Sequence, residues 1–151
     1  MAQFKTKARA LDLLGRQQIA GIPTAINELI KNAHDAYADH FDIDFLRKDN
    51  MLVLRDDGVG MSKKDFLDRW LTLGTDSKVV GNSNTLPPVD STKSPRPIMG
   101  EKGIGRLAIA SIGNQVLILT KAKYELSNKI VAAFICWDVF ELTGLNIDDI
   151  V

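Results

Sequence analysis

Apolar residues recur at helical spacing through Ile26, Leu29, Ile30 and Ala33, which predicts an amphipathic helix. Ile22-Pro23-Thr24 opens it, with proline tolerated in a first turn and Thr24 as the expected cap, and it should run to about Tyr37 or Ala38. FDIDFLR and MLVLRD are short β-prone runs separated by Lys48-Asp49-Asn50, the pattern of two antiparallel strands joined by a tight turn. Ser62 with Asp65 three residues on resembles a capping box, and Phe66, Leu67, Trp70 and Leu71 then keep a helical period. RLAIASIG predicts a further helix stopped at Gly113-Asn114, QVLILTKA and KIVAAFICWDV predict two more strands, and LTGLNIDDIV begins another helical stretch.

Periodicity lapses from Gly74 to Met99, where Pro87, Pro88, Pro95 and Pro97 gather among Ser, Thr and Asn residues. A loop of that length in a compact domain is usually functional or disordered. It lies between two glycine-rich turns, Asp57-Gly58-Val59-Gly60 after a strand and Gly100-Glu101-Lys102-Gly103-Ile104-Gly105 before a helix. On the first helix, Glu28, Asn32 and Asp35 fall within roughly 60° of one another at about 100° per residue. Taken alone, those three residues read as a solvated helix face.

Composition narrows the field. A chain of 151 residues with 45% hydrophobic content is one domain with enough apolar surface for a core. Nineteen basic residues balance nineteen acidic ones, so no global field recruits nucleic acid or an anionic membrane; a local patch stays open, and nucleic acid is a possible partner that the sequence does not indicate. Lys5, Lys7, Arg9 and Arg16 make residues 1–18 a solvated basic leader before a domain spanning 19–151. The lone Cys136 lies in an apolar run as a buried structural thiol, which fits a cytoplasmic protein. No signal peptide or membrane span is legible. His34 and His40 lack metal-ligand spacing and read as surface histidines, and Trp70 and Trp137 read as core.

Glycine lets backbone N–H groups approach a phosphate closely, so two such turns beside a polar helix suggest a nucleotide. The P-loop pattern is absent. Gly103-Ile104-Gly105-Arg106-Leu107-Ala108 matches a dinucleotide fingerprint but follows a polar, proline-rich segment instead of a buried strand. ELIKNAHDA, DDGVGM and GEKGIGR in this order and spacing resemble the three boxes of the GHKL ATPase superfamily. That superfamily includes the DNA gyrase B subunit, the ninety-kilodalton heat-shock chaperone, sensor histidine kinases, MutL and the MORC proteins. The resemblance covers about Ile19 to Lys121, and it implies the α+β Bergerat fold, a two-layer α/β sandwich whose mixed, mostly antiparallel sheet carries helices on one face.

The resemblance also implies roles. Glu28 would be the general base for the attacking water, Asn32 would hold Mg²⁺, and Asp35 and Ala36 would complete the box. Asp57 would accept from the adenine amino group of ATP, a contact that guanine's carbonyl would repel. Gly60 and Met61 would line the adenine pocket, with Thr120 in its water network. Gly100, Gly103, Ile104 and Gly105 would wrap the phosphates, with Lys102 and Arg106 adding charge. Residues 74–99 would be the ATP lid, and Lys78 would approach the phosphates as it closes.

The expected activity is slow Mg-dependent hydrolysis of ATP to ADP and phosphate, coupled to lid closure and to an ATP-dependent homodimer. The unfinished end after Asp148 reads as a fragment whose C-terminal transducer domain lies beyond. Two alternatives stay open: the ATP-binding domain of a sensor kinase, disfavoured because kinase versions typically carry Asn where Glu28 stands, and a nucleotide-gated binding module with little hydrolysis.

Overall fold

The computed structural model describes residues 6–17, 19–73, 85–86, 90–100, 105–126 and 128–150. Among these residues three α-helical segments, α1 (Arg9–Asp12), α2 (Ile22–Asp35) and α3 (Lys63–Asp65), are interspersed with six strands. These are β1 (Phe41–Leu46), β2 (Met51–Asp56), β3 (Thr85–Leu86), β4 (Arg96–Pro97), β5 (Gln115–Thr120) and β6 (Val131–Cys136). The class is α+β. Among the described residues the strands pair two by two, β1 with β2, β3 with β4 and β5 with β6, and the first two pairs are antiparallel.

The chain forms two compact units, one of Met1–Leu29, Ile104–Ile118 and Ala132–Val151, the other of Ile30–Gly103 and Leu119–Val131. In the first, α1 continues into a π-helical turn, Leu13–Gln17, so that part of the stretch expected as a solvated leader is helical. Ala8 is fully buried, its N–H donating to the Leu145 carbonyl at 3.2 Å, and Ile147 N–H returns to Thr6 at 3.2 Å. A Cβ on Gly15 would lie 2.8 Å from the Leu107 carbonyl oxygen, so this turn packs backbone-close on the segment Gly105–Ser111. That segment is a 3₁₀ helix and buries Leu107, Ala108 and Ala110. It ends at Ser111, and the Ile112 and Gly113 N–H groups close onto the Ile109 carbonyl, next to the stop at Gly113-Asn114 that the sequence predicts. Lys7 and Arg9 remain exposed, because only the apolar side of the stretch is needed for packing.

α2 starts at Ile22, one residue after Gly21, whose φ of +87° suits glycine. Thr24 does not cap it. Its hydroxyl donates to the Ala20 carbonyl at 3.2 Å, since Thr24 already lies inside the first turn. The helix ends at Asp35, shorter than expected, because Tyr37 turns left-handed with φ of 61° and the Ala38 N–H closes onto the Ala33 carbonyl at 3.0 Å. A left-handed tyrosine costs about 1–2 kcal/mol, offset here by burial of its ring to 5% exposure.

In the second unit, β1 and β2 pair from Phe41 opposite Asp56 to Leu46 opposite Met51, with Asn50 at φ 47° in the turn. Ser62 and Asp65 form the expected capping box, each side chain accepting the other's backbone N–H, at 3.1 and 3.2 Å. The helix behind it differs from expectation. α3 makes a single turn and then widens to a π-helix, Phe66–Trp70, in which Leu71 N–H bonds to the Phe66 carbonyl at 2.9 Å. The wider turn buries Phe66 and stacks it on Trp70 at 5.1 Å, but leaves Leu67 and Leu71 exposed. Among the described residues no helix is long and apolar enough to cross a membrane.

Candidate functional site

The loop after β2 is held on three sides within the second unit. Val59 N–H donates to the Ala36 carbonyl at 2.8 Å, and a Cβ on Gly58 would meet the Ala36 Cβ at 2.9 Å. Ala36 is therefore small because backbone lies against it. Gly60 has φ of +67°, and a Cβ there would fall 1.9 Å from the Lys121 carbonyl oxygen. Met61 N–H donates to Thr120 Oγ1 at 3.0 Å, so the strand-end threonine expected at the pocket holds the loop directly.

Asp57 is engaged differently from the sequence expectation. Its Oδ1 accepts the N–H groups of Asp39 and His40 at 2.7 and 2.9 Å, and Oδ2 pairs with His40 Nδ1 at 2.9 Å. The imidazole and these backbone donors hold the Asp57 carboxyl far below the usual range, and Asp57 raises His40 in turn. Both oxygens of Asp57, the residue that the sequence resemblance places on the adenine amino group, thus serve the 39–40 turn. Among the described residues the neighbouring Asp56 takes only the Gly58 N–H, on Oδ1 at 2.9 Å. Sequence reasoning passed over both Asp56 and His40. The doubled acid before Gly58 was a signal for the first, while nothing marks a histidine 17 residues upstream as a partner of the second.

Asn32 and Asp35 lie near the end of α2. The Asn32 side chain is half-buried and makes no hydrogen bond among the described residues. The Asp35 side chain is only 4% exposed, and its two oxygens accept the N–H groups of Met99 and Gly100 at 2.9 and 3.0 Å. The Gly100 amide expected on a phosphate therefore points at Asp35. Further links follow: Arg96 donates to the Ala38 carbonyl and to Asp39, both at 2.7 Å, and its guanidinium carbon lies 5.3 Å from the centre of the Tyr37 ring. Within residues 90–99, the last part of the expected lid, Arg96 and Met99 are thus bound to the end of α2 and the segment following it.

In the first unit, Glu28 meets Gly105, the last glycine of the second glycine-rich turn. A Cβ on Gly105 would lie 2.8 Å from Glu28 Oε2, so the carboxylate sits directly over the start of the 3₁₀ helix. Next to it Arg106 is half-buried, and burial lowers its guanidinium pKa. Arginine starts so high that it keeps its charge at neutral pH. Lys78, Lys102, Gly103 and Ile104 lie outside the described residues.

An acid over a glycine-started helix, and a separate loop of two backbone-packed glycines behind a strand, are parts suited to phosphate and base recognition. The family described as "Histidine kinase-, DNA gyrase B-, and HSP90-like ATPase" matches residues 21–141. The chain belongs to this family. Both units contribute to the matched span, and ATP binding is the general activity that membership carries. Over 87 residues this ATPase-family chain is also 39% identical to a protein of Herpetosiphon aurantiacus named "Putative type II restriction enzyme HgiDII". The similarity takes in 58% of the chain and only 13% of that relative.

Proposed function

We propose that this ATPase-family domain binds Mg-ATP and hydrolyses it slowly to ADP and phosphate, using the cycle to close its lid and change the conformation or pairing of a larger protein. The observation that carries the reading is Glu28: an acid within the family match, placed over Gly105 in the glycine box. From the middle of α2 its carboxylate would take the proton of the water attacking the γ-phosphate.

Asn32 offers an uncommitted amide oxygen to Mg²⁺. Among the described residues no three His, Cys, Asp or Glu side chains gather as metal ligands, which fits an ion held mainly by phosphates and water. That ion would neutralise charge developing on the phosphates. Gly105 with Gly103 and Ile104 would present backbone to the phosphates, and Arg106, Lys102 and Lys78 would add positive charge. For the base, Gly60 and Met61 would line the pocket and Thr120 would fix it. Of the acid pair, Asp56 would accept from the adenine amino group while Asp57 braces the loop from behind. Asp35 would act through Met99 and Gly100 instead of touching the nucleotide.

Calorimetry with ATP, ADP and GTP, with and without Mg²⁺, followed by turnover of the intact protein, tests this reading. Glu28→Ala should leave ATP affinity within about twofold and reduce turnover by about a hundredfold or more. Retained turnover would remove Glu28 as the base, and absence of ATP binding by the unaltered protein would remove the reading itself. The similarity to a protein named as a restriction enzyme favours one biological setting, a nucleotide switch that serves nucleic-acid cleavage. DNA-stimulated ATP turnover by the full chain is its expected sign.

A further inference from the structure

The residues between Lys93 and Gly100 are fastened to the end of α2 and the turn after it through three residues, Lys93, Arg96 and Gly100, by chemically different means. Lys93 Nζ donates to the Tyr37 carbonyl at 2.9 Å and to Asp39 Oδ2 at 2.6 Å. Arg96 N–H donates to the Tyr37 hydroxyl at 3.0 Å, while its guanidinium covers the Tyr37 ring and reaches Asp39 Oδ1. Gly100 N–H ends on the buried Asp35. Asp39 is the one side chain that binds both cations.

A single exposed ion pair contributes little. Here one carboxylate holds two cations that are themselves only 29% and 27% exposed, and one of them also lies on an aromatic face. Such a network fixes geometry as well as adding attraction. The two cations accordingly hold the Asp39 carboxyl below its ordinary range.

We propose that residues 93–100 form a strap and that Asp39 is a positioning residue for the nucleotide, fixing where the chain enters its phosphate-binding glycine turn at Gly100. This rests on the ATP-binding reading above. Asp39 touches no nucleotide in this scheme. Its effect passes through Lys93 and Arg96 to Gly100, whose amide Asp35 then locks. The arm is preorganised as far as Gly100 in this way before any phosphate arrives.

Hydrogen exchange at the Met99 and Gly100 amides, with ATP and adenosine affinities measured side by side, tests the strap. Asp39→Ala should speed exchange at both amides. If the arm then keeps its binding arrangement about a fifth of the time, the apparent Kd for ATP rises about fivefold, with adenosine affinity unchanged. Asp39→Glu should recover most of the loss. Arg96→Lys, which keeps the charge and loses the fork, reads the same effect from the opposite side should Asp39→Ala fail to fold. Unchanged exchange, tighter ATP binding, or an equal loss for adenosine would overturn the proposal. No ATP binding by the unaltered protein would instead sink the ATP reading, and the exchange measurement would still report whether the strap holds.

Discussion

Asp56 and Asp57 stand side by side and do different work. Asp57 receives three donors from the 39–40 turn, so replacing its charge should loosen the loop, whereas Asp56 lies at the end of β2 with a single backbone donor on one oxygen. We expect Asp56→Asn to weaken ATP binding by about tenfold or more, the cost of losing a hydrogen bond that reads the base. Asp57→Asn should weaken it less and act through stability. Calorimetry on the two variants ranks them, and the reverse order would return the adenine contact to Asp57. The His40 imidazole gives a second readout. Its pKa is raised by Asp57, so its share of the bracing is complete below the ordinary imidazole value and fades as pH rises through the raised one. The Asp57 share is lost only as pH falls through its depressed value. NMR titration should show the His40 pKa falling back in Asp57→Asn.

At the scale of elements, the loop following β2 is shaped by what its glycines touch. Gly60 combines positive φ with a Lys121 carbonyl where a Cβ would stand, and neither can relax without moving the backbone after β5. Gly60→Ala should therefore cost about 3 kcal/mol or more, seen as a lowered midpoint in urea unfolding. Thr120→Val removes only the acceptor for Met61 N–H and should cost about 1 kcal/mol. A Gly60→Ala protein as stable as the parent would mean that the loop is not seated on residues 121–122. The π-turn after α3 belongs to this scale as well. Its residues promised a regular amphipathic helix, yet only Phe66 of the four apolar positions is buried, because the ring stack with Trp70 sets the turn.

For the molecule as a whole, the first residues are structural. Ala8 is buried, Gly15 abuts the Leu107 backbone, and Ser111 Oγ donates to the Gly15 carbonyl at 3.3 Å. A basic leader could be removed without effect. Deleting residues 1–17 should instead cost about 2 kcal/mol or more, and the melting temperature should fall by roughly 5 °C. An unchanged melting curve would show that the 3₁₀ helix at Gly105–Ser111 stands without its neighbour. Because that helix begins beneath Glu28, the deletion should also impair any turnover that depends on Glu28.

The sequence by itself determined the α+β class, the hairpin of β1 and β2, the capping box at Ser62 and the family, since these rest on short-range periodicity, turn chemistry and motif spacing. Glu28 and the two glycine-rich turns were legible in the same way, as three short motifs in one order. Tertiary structure alone decided that Asp57 faces His40, that Asp39 gathers Lys93 and Arg96 from more than fifty residues away, and that residues 6–17 are packed. A carboxylate's partner depends on which donors the folded backbone brings within about 3 Å of it, and no local pattern of residues carries that distance.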